Sequence, residues 1–284
     1  MEECILLMSK AWETYESEKR IEGFSSQTLK AYRLQATLLT RYFEDVDIES
    51  LTTIQLKEYL AKSSVYLKPS SLAHRIHFMK SLFRWSHEEG YISINPAAKI
   101  KEPKVGKRIP KFLTEREIEH LREACHTPLE KSIFEFMFST GCRIGEIVSL
   151  EKNSINWSER SAIVRGKGDK EREVYFNIRC DIWFKRYIES HQDRDPAIFV
   201  TERNPHRMSI AQMRYIIKRI SGRAGINKDI HPHQLRHSYA THLINNGAPI
   251  EVIQSLMGHK KSETTRIYAQ LSGKLRKEFY QRYF

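Results

Sequence analysis

Apolar residues recur at three- and four-residue intervals along much of the chain, the spacing of helices with one buried face. In TLKAYRLQATLLTRYFEDV, Leu29, Tyr32, Ala36, Leu39 and Phe43 keep that spacing, and Ser26 and Gln27 stand just before it as helix-start residues. Thr52 and Thr53 open a shorter helix, IQLKEYLAK. Ser70 and Ser71 precede LAHRIHFMKSLFRWSHEEG, which Gly90 closes as a C′ residue. Residues 1–100 therefore predict helices only, packed as a small bundle. Along the last of these helices Arg75, His77, Lys80 and Arg84 lie largely between the apolar positions and give the bundle a basic side. An ordinary solvated face has the same pattern.

Asn95-Pro96 ends the bundle, and KIKEPKVGKRIPKFL follows with Pro103, Gly106 and Pro110 among its lysines and arginines. Three breakers in eight positions disfavour helix or strand, so residues 101–112 read as an interdomain linker. A strap along a phosphate backbone and a plain solvated connection both fit it. Residues 113–284 form the second domain, opening with the capping box Thr114-x-x-Glu117 and a helix through Cys125. A more apolar helix, LEKSIFEFMFSTG, ends at Gly141. Residues 161–164 and 173–176 predict strands flanking the turn Gly166-Lys167-Gly168-Asp169, and the remainder is mainly helical. The fold class expected is mainly α in two domains, a helical bundle followed by a mixed α+β domain with a small antiparallel sheet.

At 284 residues each domain is long enough for its own core. No uncharged apolar run approaches the roughly 18 residues of a membrane span. The first residues carry acids before any base and no long apolar stretch, which argues against a signal peptide. Cys4, Cys125, Cys142 and Cys180 are far apart and form no CxxC pair, so reduced thiols in a cytoplasmic compartment are expected rather than disulfides or zinc. Net charge is +12, and residues 1–104 contribute only about +1 of it (15 Lys/Arg against 14 Asp/Glu). The other 180 residues hold 32 against 21, a surplus of 11. A basic domain of this kind most often meets a polyanion, nucleic acid by default. Charge alone leaves a merely basic protein as an equal reading, so the motifs decide.

Arg143 lies in STGCRIGE, where Gly141 ends one helix and the arginine enters the next; a guanidinium there can grip two phosphate oxygens. Taken alone, Arg143 and Glu146 read as a surface ion pair. Lys167, at the tip of its turn, is by itself a solvent-facing lysine, or else a proton donor that enters a groove of the nucleic acid. His233 and Arg236 stand one turn apart at the start of a helix announced by His231-Pro232, on one side of it. His237 and His242 follow in the same helix, but no carboxylate or cysteine stands at ligand spacing, so a zinc site is rejected and His237 reads as a hydrogen-bonded core residue. His259 follows Gly258, the C′ glycine of PIEVIQSLM. Ser262 caps a helix ETTRIYAQL that carries Tyr268 nine positions after His259. A free phenol has a pKa of about 10, so Tyr268 is a nucleophile only where cations favour its ionised form, and a packing residue otherwise.

In this order and context the residues resemble the tyrosine recombinases, the phage-integrase family, over almost the whole chain. STGCRIGEI is similar to the family's first-arginine box, RGKGDKER to its β-hairpin lysine, HPHQLRHSYATHL to its His-x-x-Arg box, and LMGHKKSETTRIYAQL to the segment from the second histidine to the nucleophile. The bundle ending in EEGYISINPA resembles the SAM-like core-binding domain. Gly145 stands where the family often has Ser, and Met257 where Leu is commoner; neither change removes a functional group. The absence of a preceding arm-binding domain, with sixteen residues after Tyr268, most resembles Xer-type recombinases, which resolve chromosome dimers. Integrases of phages and transposable elements come next. A type IB topoisomerase and a DNA-binding regulator with a dead site are further alternatives.

The resemblance implies Tyr268 as nucleophile, Arg143 and Arg236 on the phosphate, Lys167 as acid to the leaving oxygen, His233 as proton acceptor and His259 as a phosphate hydrogen-bond donor. It implies double-stranded DNA with an inverted-repeat site as substrate and a tetrameric synapse of self-associated protomers. The tail SGKLRKEFYQRYF is expected to dock on a neighbouring protomer. No carboxylate cluster for Mg²⁺ and no glycine-rich phosphate loop occurs, so no metal or cofactor is expected.

Overall fold

The computed structural model describes residues 5–104, 112–166, 170–190 and 193–258. The chain divides into two compact units, Met1–Lys107 and Arg108–Phe284.

The first unit is built from α1 (Met8–Ile21), α2 (Ser26–Phe43), α3 (Thr53–Ser64) and α4 (Pro69–Glu88). Ser25 caps α2 by accepting from the Thr28 N–H, one residue ahead of the helix-start signal at Ser26. Thr52 and Gln55 close a capping box on α3. Pro69 takes the first position of α4, where its fixed φ suits the helix and its missing N–H costs nothing. Gly90 ends that helix with φ +76°. The other helices all pack on α4, which buries Ile76, Phe78, Met79, Leu82, Phe83 and Trp85. Trp12 meets Tyr15 tilted and Phe78 edge-on, and the pairs Tyr15–Trp85 and Tyr32–Phe78 are also edge-on, as the aromatic quadrupole favours. The N-terminus of α1 is capped from a distance. Asp45 accepts from the Ser9 N–H and hydroxyl, both at 2.7 Å, after two left-handed residues, Glu44 and Asp45, turn the chain toward it.

The basic stripe on α4 is not one surface. Arg75 points inward: Nε donates to Gln35 Oε1 at 3.0 Å, Nη1 to Ser63 Oγ at 2.6 Å, and the guanidinium lies 5.1 Å from the Tyr59 ring centre. His77 pairs with Glu102 at 3.3 Å. Lys80 is half-buried and Arg84 exposed.

The second unit contains α5 (Glu115–Glu123), α6 (Pro128–Thr140), α7 (Ile144–Val148), β1 (Ile155–Asn156), β2 (Ser161–Arg165), β3 (Glu171–Tyr175), α8 (Ile178–Glu189), α9 (Ile210–Arg223), α10 (Pro232–Asn245) and α11 (Ile250–Met257). Helix α6 is the centre of this unit. It buries Phe134, Phe136 and Met137 and packs against α8, α9, α10 and β3. The sheet is antiparallel in the order β1-β2-β3, with Ala162 opposite Val174 and Val164 opposite Arg172. Gly166 N–H donates to the Lys170 carbonyl at 2.8 Å and closes the base of the hairpin. Strand β1, two residues long, leaves no periodic signal in the sequence. The segment between α8 and α9 is also less helical than the pattern suggests. Bridges Glu151↔Ala197 and Val200↔Arg207 draw it into extended pairing. No helix among the described residues is long and apolar enough to cross a membrane.

Candidate active site

The site begins where α6 stops. Gly141 ends that helix in the left-handed region, φ +60°, and a Cβ there would lie 2.3 Å from Cδ1 of Tyr239 on α10. Only glycine meets both demands. The chain then passes buried Cys142, whose thiol is pushed up to about 11 by burial, and reaches Arg143 at the N-cap of α7.

Arg143 donates its backbone N–H to Glu146 Oε2 at 2.7 Å, its Nη1 to Glu146 Oε1 at 2.9 Å, and its Nη2 to the Gly258 carbonyl at 3.3 Å. Its sequence context suggests that the helix start itself attracts an anion. Helix α7 sums only five peptide dipoles, and Glu146 already occupies the Arg143 N–H. What remains for an anion is the guanidinium, 37% exposed. The Arg143–Glu146 pair is therefore no exposed surface bridge, since the carboxylate is only 3% exposed.

Arg236 comes from α10. That helix opens at Pro232, with His231 as N-cap and its N–H donating to Gln234 Oε1 at 3.2 Å. The Arg236 side chain is buried and reaches the ends of two other helices, donating Nη1 to the Gly141 carbonyl and Nη2 to the Met257 carbonyl at 2.5 Å. Last-turn carbonyls lack helical partners and so are free to accept. Gly258 ends α11 in the left-handed region, φ +61°, beside this contact. Burial, then the neighbouring Arg143 charge, pushes Arg236 down to about 10, so it stays protonated at neutral pH.

His233, one turn before Arg236, is exposed at the rim. Partial desolvation first, then Arg236, His231, Arg214 and Arg143, holds its imidazole below the usual range. A neutral ring there can accept a proton. His237 is half-buried and is pushed down to about 4 by desolvation, His233 and Arg236. It carries no charge into the site.

The structure thus brings together Arg143, His233 and Arg236. Lys167, His259 and Tyr268 lie outside the described residues, as do the helix after Ser262 and the C-terminal tail. Lys167 follows Gly166 in sequence, and His259 follows Gly258.

A further residue of the site, Arg172 on β3, has no role in the sequence reading. Its Nη1 and Nη2 reach both oxygens of Glu146 at 2.7 and 2.9 Å, and its Nε donates to the Leu256 carbonyl at 3.1 Å. These partners lie 26 and 84 positions away, so no local pattern could have pointed to it. Despite burial, Glu146 is held below the usual carboxylate range by Arg172 and Arg143.

The chain is similar over most of its length to known proteins. Residues 111–274 match the phage integrase family, and residues 12–90 match the phage integrase N-terminal SAM-like domain. Tyrosine recombinase XerD of Haemophilus influenzae is 31% identical over 278 residues, covering 92% of this chain and 93% of that protein. Tyrosine recombinase XerC of Staphylococcus epidermidis is 30% identical over 287 residues, 96% of each chain. Among solved structures, XerA recombinase is 25% identical with a TM-score of 0.57, covering 97% of this chain and 98% of that one. A lambda integrase dimer bound to a COC′ core site shares the fold at 19% identity and a TM-score of 0.77, covering 90% of this chain and 96% of that one. The chain belongs to the phage integrase family, the tyrosine recombinases.

Proposed function

We propose that this protein is an Xer-type site-specific recombinase that cuts and rejoins duplex DNA through a 3′-phosphotyrosyl intermediate. The observation that carries the reading is the charge around Glu146. Arg143, Arg172 and Arg236 supply three positive charges against one carboxylate, a local surplus of two (3 − 1). A phosphodiester monoanion fits such a surplus, and its non-bridging oxygens gain charge in the transition state, where preorganised donors act most strongly.

In the forward step the Tyr268 phenolic oxygen attacks the scissile phosphorus as the bond from phosphorus to the 5′-oxygen breaks. The bonding pair leaves with that oxygen, which takes a proton from Lys167. His233 accepts the phenol proton. Arg143 and Arg236 neutralise the non-bridging oxygens, and His259 hydrogen-bonds one of them. Rejoining reverses these transfers with a 5′-hydroxyl from the other duplex, and the exchange of one phosphodiester for another requires no fuel.

Residues 1–100 are assigned to core binding, 101–112 to a basic strap, and 113–284 to catalysis with a C-terminal tail that docks on a neighbouring protomer. The substrate is a double-stranded site with inverted repeats, synapsed by four protomers in the cytoplasm. Two related folds support this, XerH bound to a palindromic difH substrate and a lambda integrase tetramer bound to a Holliday junction. The XerC and XerD relatives are tyrosine recombinases matched over nearly their whole length, and the Xer-type reading favours chromosome-dimer resolution.

The test is capture on nicked genomic fragments that trap the intermediate. After denaturation, DNA that stays bound to wild type and not to Tyr268→Phe is sequenced. One chromosomal site with inverted repeats supports dimer resolution; the ends of a mobile element would replace it with integration. Adducts scattered without a common site would point to a type IB topoisomerase. Tight binding with no adduct would favour a DNA-binding regulator.

A further inference from the structure

Arg172 holds Glu146 more completely than Arg143 does. It engages both carboxylate oxygens in a parallel fork, whereas the Arg143 side chain reaches Oε1 alone. Its side chain is 14% exposed against 37% for Arg143. On β3 it follows the pleat inward with Val174, while Glu171, Glu173 and Tyr175 point outward. A Cβ on Gly258 would stand 3.0 Å from Arg172 Cδ, so the glycine that ends α11 also leaves space for this side chain.

From this geometry we infer that Arg172 is a positioning residue that neutralises and clamps Glu146, leaving Arg143 free to bind the scissile phosphate. A buried carboxylate needs a counter-charge. Without Arg172, Arg143 is the sole side-chain cation bonded to Glu146 among the described residues. The carboxylate it already touches through Nη1 would then hold it more strongly, and the local surplus would fall from two to one. Lysine restores the charge but not the fork, since one ammonium cannot span both oxygens and the Leu256 carbonyl. The inference rests on the recombinase reading.

The test compares wild type, Arg172→Met and Arg172→Lys on three DNA substrates that differ only at the scissile linkage. One is the natural phosphodiester. The second is a methylphosphonate, which has no negative charge for arginine to offset. The third is a 5′-bridging phosphorothiolate, whose thiolate leaves without an acid. The readout is the single-turnover rate of covalent adduct formation.

On the phosphodiester, Arg172→Met is expected to be about 100-fold slower and Arg172→Lys roughly 10-fold slower, the scale of losing one preorganised donor. On the methylphosphonate both should fall within about threefold of wild type, because the phosphate charge that a misplaced Arg143 fails to offset is no longer there. Adding Glu146→Gln to Arg172→Met removes the buried charge and should recover at least about tenfold on the phosphodiester. That double variant also decides the matter if Arg172→Met alone does not fold.

Equal losses on all three substrates would make Arg172 a scaffold residue and overturn the inference. So would rescue by the phosphorothiolate alone, which places its effect on the leaving group, or wild-type rates in both variants. Absence of any adduct from wild type would instead bring down the recombinase reading itself.

Discussion

Replacing Gly141 with alanine tests how the first arginine segment is built. The backbone there has φ +60°, a region that costs an L-residue roughly 1–2 kcal/mol. The new methyl would also sit 2.3 Å from Cδ1 of Tyr239 and 2.8 Å from Cε1, well inside contact distance. Forced overpacking in a core costs about 1–3 kcal/mol, so the sum is about 2–5 kcal/mol. The same shift moves the Gly141 carbonyl that Arg236 Nη1 bonds, so cleavage should fall along with stability. Gly145, four residues on, is the internal control. Nothing lies within 4 Å of a Cβ there, and its φ is not positive. Gly145→Ala should gain about 0.4–1 kcal/mol by restricting the unfolded chain. Urea unfolding of the three proteins, read from the second unit, measures both values. A double-mutant cycle with Tyr239→Leu should show coupling of at least about 1 kcal/mol. Gly141→Ala within about 0.5 kcal/mol of wild type, or no coupling to Tyr239, would refute the packing argument.

Acid should weaken the second unit through His237. Its folded pKa of about 4 lies below the ordinary 6.5, so as pH falls the unfolded chain takes up the proton first. The contribution is present above pH 6.5, is lost progressively between about 6.5 and 4, and reaches at most about 3 kcal/mol. His233 shifts in the same direction. His237→Gln should flatten the slope of stability against pH in that window, and an unchanged slope would contradict the assignment. Arg75 and Arg84 should separate on the bundle helix: Arg75→Ala removes the bonds to Gln35 and Ser63 and should cost the first unit about 1–3 kcal/mol in thermal unfolding. Exposed Arg84→Ala should leave stability within about 0.5 kcal/mol and, if Arg84 meets a phosphate, reduce the salt slope of DNA binding by about 1. The reverse pattern would mean that Arg75 faces the DNA.

Features set by local chemistry were legible in the sequence. The helix start at Thr52, the capping box at Thr114, the left-handed glycines at 90, 141 and 258, and the proline start of α10 all follow from residues within one turn of the feature. The hairpin strands were placed to within a few residues because their flanking turn is glycine-rich. What escaped depends on distant partners. Helix α1 has no local side-chain cap, and Asp45 supplies one from 36 positions away. Arg75 looked like part of a solvated stripe because its partners, Gln35 and Ser63, lie on other helices. Arg143 and Arg236 were legible as candidate site residues, but their orientation was not. Glu146, Arg172 and the carbonyls of Gly141, Met257 and Gly258 set it, and these meet only after folding.

The most direct test of the central claim is chemical identification of the DNA-linked residue. Wild-type protein would be trapped on a nicked recombination site, digested with nuclease and protease, and the nucleotide-bearing peptide mapped by mass spectrometry. The account predicts a single 3′-phosphonucleotide on Tyr268, absent from Tyr268→Phe. Attachment to any other residue, or the same adduct in Tyr268→Phe, would contradict it.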